Sequence, residues 1–249
     1  MHPMKIAALT LGLGVVPITG FAQDLSDARI KELALEAIRE NPQIIMEAVQ
    51  LLDEQAAAAQ ATAQMDVLEN QRQLLERDPN APVLGNPEGD VTVVEFFDYN
   101  CPYCRRAMPE VQGLLEADGN VRLVYREWPI LSDGSVFAAK AALAAREQGK
   151  YEDFHVALMG MDERAEEASV MRLAEEIRLD IEQLRADMNA PEVQDHIDEP
   201  MRLTEALGFN GTPSFVIGDA LVPRFRAPSP LSPLVAGPSD SAGLRPCPF

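Results

Sequence analysis

A short apolar run followed by two closely spaced cysteines constrains this chain more than any other feature. Residues 91–97 read VTVVEFF, whose length and composition are typical of a buried strand. The motif CPYC follows at 101–104, and apolar residues then recur at helical spacing through 102–117. Proline is preferred at the first position of a helix, so Pro102 predicts that a helix begins there. The sequence therefore predicts a strand, a turn and a helix, with Cys101 at the N-terminus of the helix.

The surroundings of Cys101 favour a reactive thiolate. Unpaired N–H groups and the helix dipole stabilise an anion at a helix N-terminus. Arg105 and Arg106 add positive charge one turn further on. Such surroundings can lower a cysteine pKa from about 8.5 to roughly 3.5–7.5. We therefore expect Cys101 to be an exposed nucleophile and Cys104 to be a more buried resolving thiol.

A structural metal site and a structural disulfide are the alternatives for this pair. A structural zinc site needs four ligands, and the chain has no second CxxC motif. His155 and His196 are distant in sequence, and we interpret both as ordinary residues of helix surfaces. A disulfide across two residues closes a very small loop and constrains the unfolded chain little. A dithiol for exchange is favoured, with no metal and no cofactor beyond a redox-active disulfide Cys101–Cys104.

The N-terminus predicts export. Lys5 precedes a short apolar run at 6–18, and small residues at 20 and 22 predict cleavage after Ala22. The run is too short for a membrane anchor, which needs about 18–20 apolar residues. We therefore expect a signal peptide at 1–22, no membrane insertion after its removal, and a location in the oxidising bacterial periplasm. The net charge of −19 argues against nucleic acid or an anionic membrane surface as partner.

Two segments resemble the motifs of the DsbA-like branch of the thioredoxin superfamily. EFFDYNCPYC at 95–104 resembles its active-site segment, and GFNGTPSFVIGD at 208–219 resembles its cis-proline loop, which lies against the CxxC. Segment 135–159 resembles the helical insertion of that branch. The resemblance covers about 83–219 and implies an α/β thioredoxin fold with a helical insertion at about 133–208. Within the branch the chain is similar to exported ScsC-like (suppressor of copper sensitivity C) proteins, whose N-terminal helices join protomers.

The resemblance implies roles for individual residues. Glu95 matches the buried acid of this branch and would exchange a proton with Cys104. A buried carboxylate is costly unless it is paired or protonated, so the alternative is that Glu95 faces solvent. Thr212 and Pro213 would offer backbone to a substrate strand.

The central residues of the motif, Pro102 and Tyr103, complete the predicted substrate-binding set. Aromatic residues beside a strand are usually part of the core. Tyr103 lies inside the motif, so we expect it to touch a substrate. No residue is predicted to bind a metal.

Residues 23–80 are predicted to form an N-terminal helical arm. A second helix is predicted to begin after Asn41, with Asn41 as its N-cap and Pro42 as its first residue. Its helical pattern continues to about Arg77. Its apolar and alanine residues follow heptad spacing at Ile45, Val49, Leu52, Ala56, Ala59 and Ala63. Such a stripe buries against its own domain or against another copy, and we favour a homo-oligomer through residues 24–77.

The domain boundary is predicted in the proline- and glycine-rich segment 78–90. A thioredoxin domain at 81–220 follows it. Pro200 interrupts the helical pattern from Val193 to Leu207, so we expect a kinked or split helix there.

The C-terminal residues 221–249 depart from the pattern of the fold. They contain seven of the 19 prolines, and three arginines against a single acidic residue. Proline at this density cannot hold a helix or a central strand. We predict a disordered tail, a sheet without its edge strand, and a shifted reading frame from near 223. Cys247 would then be an accidental free thiol.

The predicted function is that of a periplasmic thiol:disulfide oxidoreductase. Its partners would be exported proteins with thiols or disulfides and a membrane redox partner that recycles it. A protein that is kept reduced and joined into an oligomer through its helical arm would shuffle wrong disulfides instead, so an oligomeric disulfide isomerase or reductase is an alternative. A copper-binding redox chaperone is an alternative of another class, because a dithiolate binds Cu(I) and the chain has ten methionines. A redox-inactive interaction module is the last alternative.

Overall fold

The computed structural model describes residues 26–225. The predicted signal peptide, Cys247 and the residues from 226 onward lie outside this part of the chain. The chain divides into two compact units after Glu54. Within 26–225 no helix has both the length and the hydropathy that crossing a membrane requires.

Over its described residues, 26–54, the N-terminal unit is helical and forms no core of its own. It contains α1 (Asp27–Glu40) and the first part of α2 (Gln43–Asn70). The Ser26 side chain caps α1 by accepting a hydrogen bond from the backbone N–H of Arg29. No side chain between 26 and 54 is buried. Apolar side chains that are at least half exposed are Ile30, Leu35, Met46, Leu51 and Leu52.

The second part of α2 and the short helix α3 (Arg72–Arg77) belong to the larger unit. Val67 and Leu75 on these helices are fully buried in its core. The helix expected to continue to Arg77 is interrupted at Gln71, so the prediction of one helix is wrong at this point. The predicted boundary at 78–90 also differs from the division after Glu54, because burial of α3 joins half of the predicted arm to the domain.

A five-stranded mixed sheet lies at the centre of the larger unit, in the order β1-β3-β2-β4-β5. Its strands are β1 (Val83–Gly85), β2 (Val91–Phe97), β3 (Val121–Glu127), β4 (Ser214–Ile217) and β5 (Ala220–Val222). Strands β2 and β3 are parallel and are joined through α4 (Pro102–Ala117), while the other pairs are antiparallel. Nearly all of β2 is buried, as its continuous apolar run predicts.

Helices fill the predicted insertion between β3 and β4. They are α5 (Asp133–Ala144), a 3₁₀ turn (Ala145–Gln148), α6 (Tyr151–Met159), α7 (Glu167–Glu176), α8 (Ile181–Asp187) and α9 (Pro191–Leu207). Helix α9 continues through Pro200, so the predicted split is wrong. Ile197 and Leu203 on either side of Pro200 are buried, and their packing holds both parts of the helix in the core.

The end of the larger unit contradicts the predicted loss of an edge strand. Strand β5 pairs with β4 directly after the turn at Gly218, whose φ is +58°. The N–H of Phe225 then donates to the carbonyl of Pro213 at 2.8 Å. The ring of Phe225 packs edge-on against Phe215, with centroids 5.3 Å apart. Residues 221–225 are therefore part of the domain, and a tail that starts at 221 is wrong for them.

Candidate active site

The CPYC motif lies in the turn from β2 into α4. Cys101 is the N-cap residue of α4, and Pro102 is at the first helical position. The N–H of Cys101 donates to the carbonyl of Asp98 at 3.0 Å. The N–H of Arg105 donates to the carbonyl of Cys101 at 3.2 Å. The geometry therefore places Cys101 at the open N-terminus of the helix.

The second predicted motif meets the first. The peptide bond between Thr212 and Pro213 is cis. The Cys101 thiol donates a hydrogen bond to the carbonyl oxygen of Thr212, with Sγ and O 3.3 Å apart. Two segments more than a hundred residues apart in sequence thus form one site.

Cys101 is less accessible than the sequence led us to expect. It retains 4% of its accessible surface and Cys104 retains 1%, so the expectation of an exposed nucleophile is wrong. The reason is the Thr212 loop, whose carbonyl contacts the thiol. Pro102 and Tyr103 are the exposed part of the motif, and Tyr103 retains 42% of its surface.

Hydrogen bonds lower the pKa of Cys101 to about 6. The largest contribution comes from the Cys104 thiol, and further ones come from the Thr212 side chain and from the backbone N–H groups of Cys104 and Tyr103, while burial opposes them. The guanidinium of Arg106 stacks over the Tyr103 ring, 4.4 Å from its centroid. Hydrogen bonds, the one from the Cys104 thiol first among them, therefore lower the pKa of Cys101, and the arginine charge that the sequence suggested is not among the causes.

The other two ionisable groups of the site have raised pKa values. Burial, the neighbouring Cys101 and the nearby Glu95 hold the pKa of Cys104 well above its ordinary value. Burial also raises the pKa of Glu95 to about 8, and the charge of Cys101 adds to this effect. Glu95 is 3% exposed, which excludes the solvent-facing alternative. It is therefore mostly a neutral acid at pH 7.

Sequence reasoning missed two polar residues of the turn, Asp98 and Asn100. The carboxylate of Asp98 accepts from the N–H of Asn100 at 2.7 Å and from the N–H of Leu131 at 3.0 Å. The side chain of Asn100 bonds to the helical insertion. Their signal was the polar triplet DYN between a buried strand and a helix, where side chains must satisfy the backbone of the turn.

Both histidines that we placed on helix surfaces are buried, and that prediction is wrong. His155 is 2% exposed and His196 is 1% exposed. Nδ1 of His155 lies 3.1 Å from the hydroxyl of Tyr99, and its ring stacks on Tyr125 with centroids 4.3 Å apart. Burial lowers the pKa of His155 to about 4. Within 26–225 no group of three or more His, Cys, Asp and Glu side chains could hold a metal ion.

A second buried acid, Glu127, ends strand β3. Its carboxylate accepts from the hydroxyl of Tyr151 at 2.6 Å and lies 2.7 Å from Nε2 of His196. Burial acts to raise the pKa of Glu127, but the charge and hydrogen bond of His196, with the hydrogen bond of Tyr151, lower it overall. This cluster links β3 to α6 and α9.

The family model described as Thioredoxin matches residues 77–235, which is more than half of the chain. The chain belongs to the thioredoxin family. A thioredoxin-like oxidoreductase from Silicibacter pomeroyi DSS-3 is 70% identical, with 66% of this chain and 95% of that chain covered at a TM-score of 0.65. Proteus mirabilis ScsC in a transitional conformation is 26% identical, with 85% and 95% covered at a TM-score of 0.62. These matches confirm the DsbA-like, ScsC-like resemblance and the predicted thioredoxin fold with a helical N-terminal region.

A curated relative comes from a different class of protein. The Na(+)/H(+) antiporter NhaA 3 of Salinispora tropica is 33% identical over 169 residues, which is 66% of this chain. The chain spans only 26% of the length of that antiporter. The similarity therefore concerns one part of a longer protein and does not bring antiport to this chain.

Proposed function

We propose that this protein is a thiol–disulfide oxidoreductase of the DsbA and ScsC type, which acts on exported proteins in the periplasm. The proposal rests on one observation: the Cys101 thiol, whose pKa is low, lies against the Thr212–Pro213 loop and near the buried acid Glu95. Export through residues 1–22 and the absence of a cofactor beyond the Cys101–Cys104 disulfide belong to the same proposal. Similarity to an oxidoreductase at 70% identity supports it.

The reaction follows from the two thiols. A substrate thiolate attacks Sγ of Cys101 in the Cys101–Cys104 disulfide, a mixed disulfide forms, and Cys104 leaves as a thiolate. A second substrate thiolate then attacks the substrate sulfur of the mixed disulfide, and Cys101 leaves as a thiolate. The substrate gains a disulfide and loses two electrons, while the protein becomes a dithiol. The same steps in reverse reduce a substrate disulfide.

Glu95 is suited to handle the proton of Cys104. Because the pKa of Cys104 is well above its ordinary value, its thiolate must be protonated after it leaves. Glu95, with a pKa of about 8, holds a proton at pH 7 and can donate it. In the reverse direction its carboxylate would take the proton back. The protonation state at pH 7 therefore favours the direction that oxidises the substrate.

The pKa of Cys101 favours the same direction. A thiol with a pKa of about 6 in place of 9.0 is ionised at pH 7, which stabilises the reduced form. At pH 7 this amounts to about 1.4 kcal/mol, or about 30 mV for a two-electron couple. We therefore rank an oxidant first, and an isomerase or reductase second.

The substrate would lie along the loop beside the thiols. Thr212 and Pro213 are next to Cys101 and would pair their backbone with an extended segment. The exposed residues Pro102 and Tyr103 would contact the side chains of that segment. Since Cys101 is nearly covered, we expect small flexible segments to react faster than folded surfaces.

Two ribonuclease assays test the proposal. Oxidation of reduced ribonuclease measures disulfide donation, and recovery of scrambled ribonuclease measures isomerisation. We expect Cys101→Ser to abolish both activities, because no mixed disulfide can then form. Cys104→Ser should accumulate mixed disulfides, and the control Cys247→Ser should keep full activity. Activity that survives in Cys101→Ser would refute the proposed site.

We also propose that the N-terminal unit binds a second copy of the chain. At least five of its large apolar side chains are half exposed or more, none is buried within residues 26–54, and grouped exposed apolar side chains mark interaction sites. Removal of residues 23–54 is the appropriate test, because residues such as Val67 and Leu75 belong to the core of the domain. Light scattering should find an oligomer for the longer protein and a monomer for the shorter one. Two monomers would end this part of the proposal.

A further inference from the structure

The two residues that flank the CPYC motif both hold the same loop of the helical insertion. Residues 160–166 connect α6 to α7, and Asn100 and Arg105 bind this loop from the two sides of the motif. We call these two side chains with their loop contacts the clasp. Neither residue was assigned this contact by the sequence.

Asn100 binds the loop through both ends of its amide. Its Oδ1 accepts from the N–H of Ala165 at 2.8 Å, and its Nδ2 donates to the carbonyl of Ala165 at 3.0 Å. The same Nδ2 lies 3.2 Å from the hydroxyl oxygens of Ser132 and Ser135 at the start of α5. These contacts determine which end of the amide is oxygen and tie the residue before Cys101 to the insertion.

Arg105 binds the loop through backbone carbonyls. Its Nη1 donates to Met161 at 2.5 Å and its Nη2 donates to Glu163 at 3.1 Å. Its Nε donates to the carbonyl of Tyr99, 3.1 Å away, in the turn before the motif. These three acceptors are neutral, so the fork shape of the guanidinium determines the arrangement.

The loop also fits closely against the start of α5. A Cβ atom at Gly134 would lie 2.2 Å from the carbonyl oxygen of Ala165 and 2.7 Å from Oε2 of Glu166. Only glycine permits this approach, because real Cβ contacts are not that short. The backbone of the loop is therefore held by the turn, by α4 and by α5 together.

We propose that Asn100 and Arg105 are positioning residues, which hold the first turn of α4 so that its N–H groups point at Sγ of Cys101. Residues 100 to 105 contain the nucleophile and these donors, and both ends of the segment are bound to one loop. The turn cannot open without breaking the hydrogen bonds of the clasp. The inference rests on the proposed function to the extent that Cys101 is the reactive thiol.

The first test separates geometry from charge at Arg105. Arg105→Lys keeps the positive charge, but one ammonium group on a flexible stem cannot hold three carbonyls in a fixed fork. We expect the pKa of Cys101, followed by thiolate absorbance in a Cys247→Ser background, to rise by about one unit. Arg105→Gln should raise it at least as much. An unchanged pKa in Arg105→Lys would mean that the fork of the guanidinium does not position the turn and would overturn the proposal.

The second test moves the loop without changing either flanking residue. Gly134→Ala pushes the carbonyl of Ala165 away, and Asn100→Ala removes the amide that binds it. We expect both variants to raise the pKa of Cys101 by a similar amount. Gly113→Ala on α4 is the matched control, because its Cβ would meet nothing within 4 Å, and it should leave the pKa unchanged. A rise in Asn100→Ala with none in Gly134→Ala would show that Asn100 acts without the loop and would overturn the inference.

Circular dichroism and thermal unfolding establish that each variant is folded. Should Gly134→Ala fail to fold, the comparison of Arg105→Lys with wild type still decides the proposal. The titration needs no protein substrate, so it separates the two proposals. A wild-type protein that does not oxidise reduced ribonuclease would refute the proposed function. A Cys101 pKa that is the same in the variants as in wild type would refute the clasp.

Discussion

Two buried glutamates on neighbouring strands differ in their surroundings and in their charge. Glu95 on β2 pairs in register with Tyr125, and Glu127 lies two residues further along β3. They are 3% and 1% exposed. Burial raises the pKa of Glu95 to about 8, whereas His196 and Tyr151 bring that of Glu127 below its ordinary value despite burial.

The difference shows that hydrogen-bond partners, and not burial alone, decide the charge of an acid in this core. Glu95 lies beside Cys101 and Cys104 and holds an exchangeable proton. Glu127 is an anion at the junction of three elements. Both ring nitrogens of His196 face acceptors, Glu127 at 2.7 Å and the carbonyl of Asn80 at 3.1 Å, so the ring is held on two sides.

The largest expected effect is the loss of stability on breaking the Glu127 pair. Glu127→Gln removes the carboxylate of the buried, hydrogen-bonded Glu127–His196 pair, and we expect the free energy of unfolding to fall by about 3–5 kcal/mol. Urea unfolding at pH 7 measures it. Since the folded pKa of Glu127 is lowered, its stabilisation exists above the unfolded pKa near 4.5 and disappears as the pH falls through the folded value.

An exposed pair provides the control for this experiment. Glu167 and Arg185 are 3.1 Å apart, with side chains 60% and 52% exposed. Glu167→Gln should cost less than about 1 kcal/mol. A similar small cost for Glu127→Gln would contradict the assignment of Glu127 as a structural anion.

The next effect has the opposite sign. Glu95→Gln should raise the free energy of unfolding of the dithiol form by about 3 kcal/mol at pH 7, because it removes an acid whose ionised form is disfavoured by burial. The folded pKa of about 8 is above the unfolded value of 4.5, so the cost of Glu95 is absent below pH 4.5 and grows until pH 8. Urea unfolding between pH 4 and pH 8 tests this. A gain that does not depend on pH would show that ionisation is not its cause.

The smallest effect concerns the rate of exchange. Glu95→Gln should slow the release of Cys104 from the disulfide about a hundredfold, or by about 2.7 kcal/mol in the barrier, because the leaving thiolate loses its acid. Stopped-flow mixing of oxidised protein with a thiol peptide measures it. Glu127→Gln, studied under conditions where it is folded, should keep the wild-type rate. Equal slowing in both variants would mean that the two glutamates do not differ in function.

Local patterns predicted the elements of the site well. The apolar run of β2 and the proline after Cys101 predicted a buried strand and the start of a helix, and both are present. The Thr212–Pro213 loop was expected beside Cys101 from its resemblance alone, and it lies there. The chemical roles of these residues remain predictions.

Predictions from local sequence patterns were wrong where tertiary packing opposes the local preference of a residue. Pro200 was expected to kink or split a helix, but α9 is not split, because buried neighbours on both sides hold it together. His155 and His196 are polar, yet each finds a buried hydrogen-bond partner. Phe225 lies in the proline-rich segment that was predicted to be disordered, yet it packs against Phe215 in the core.

By itself the sequence determined that a strand leads through a turn to a helix that begins at Cys101, because strand length, apolar content and proline position act on near neighbours. Only the tertiary structure decided the protonation of Glu95 and Glu127, the covering of the Cys101 thiol, and the attachment of both flanks of the motif to the loop at 160–166. The pKa values of these acids and the contacts of the clasp depend on groups that are distant along the chain. Those groups come together only when the core forms.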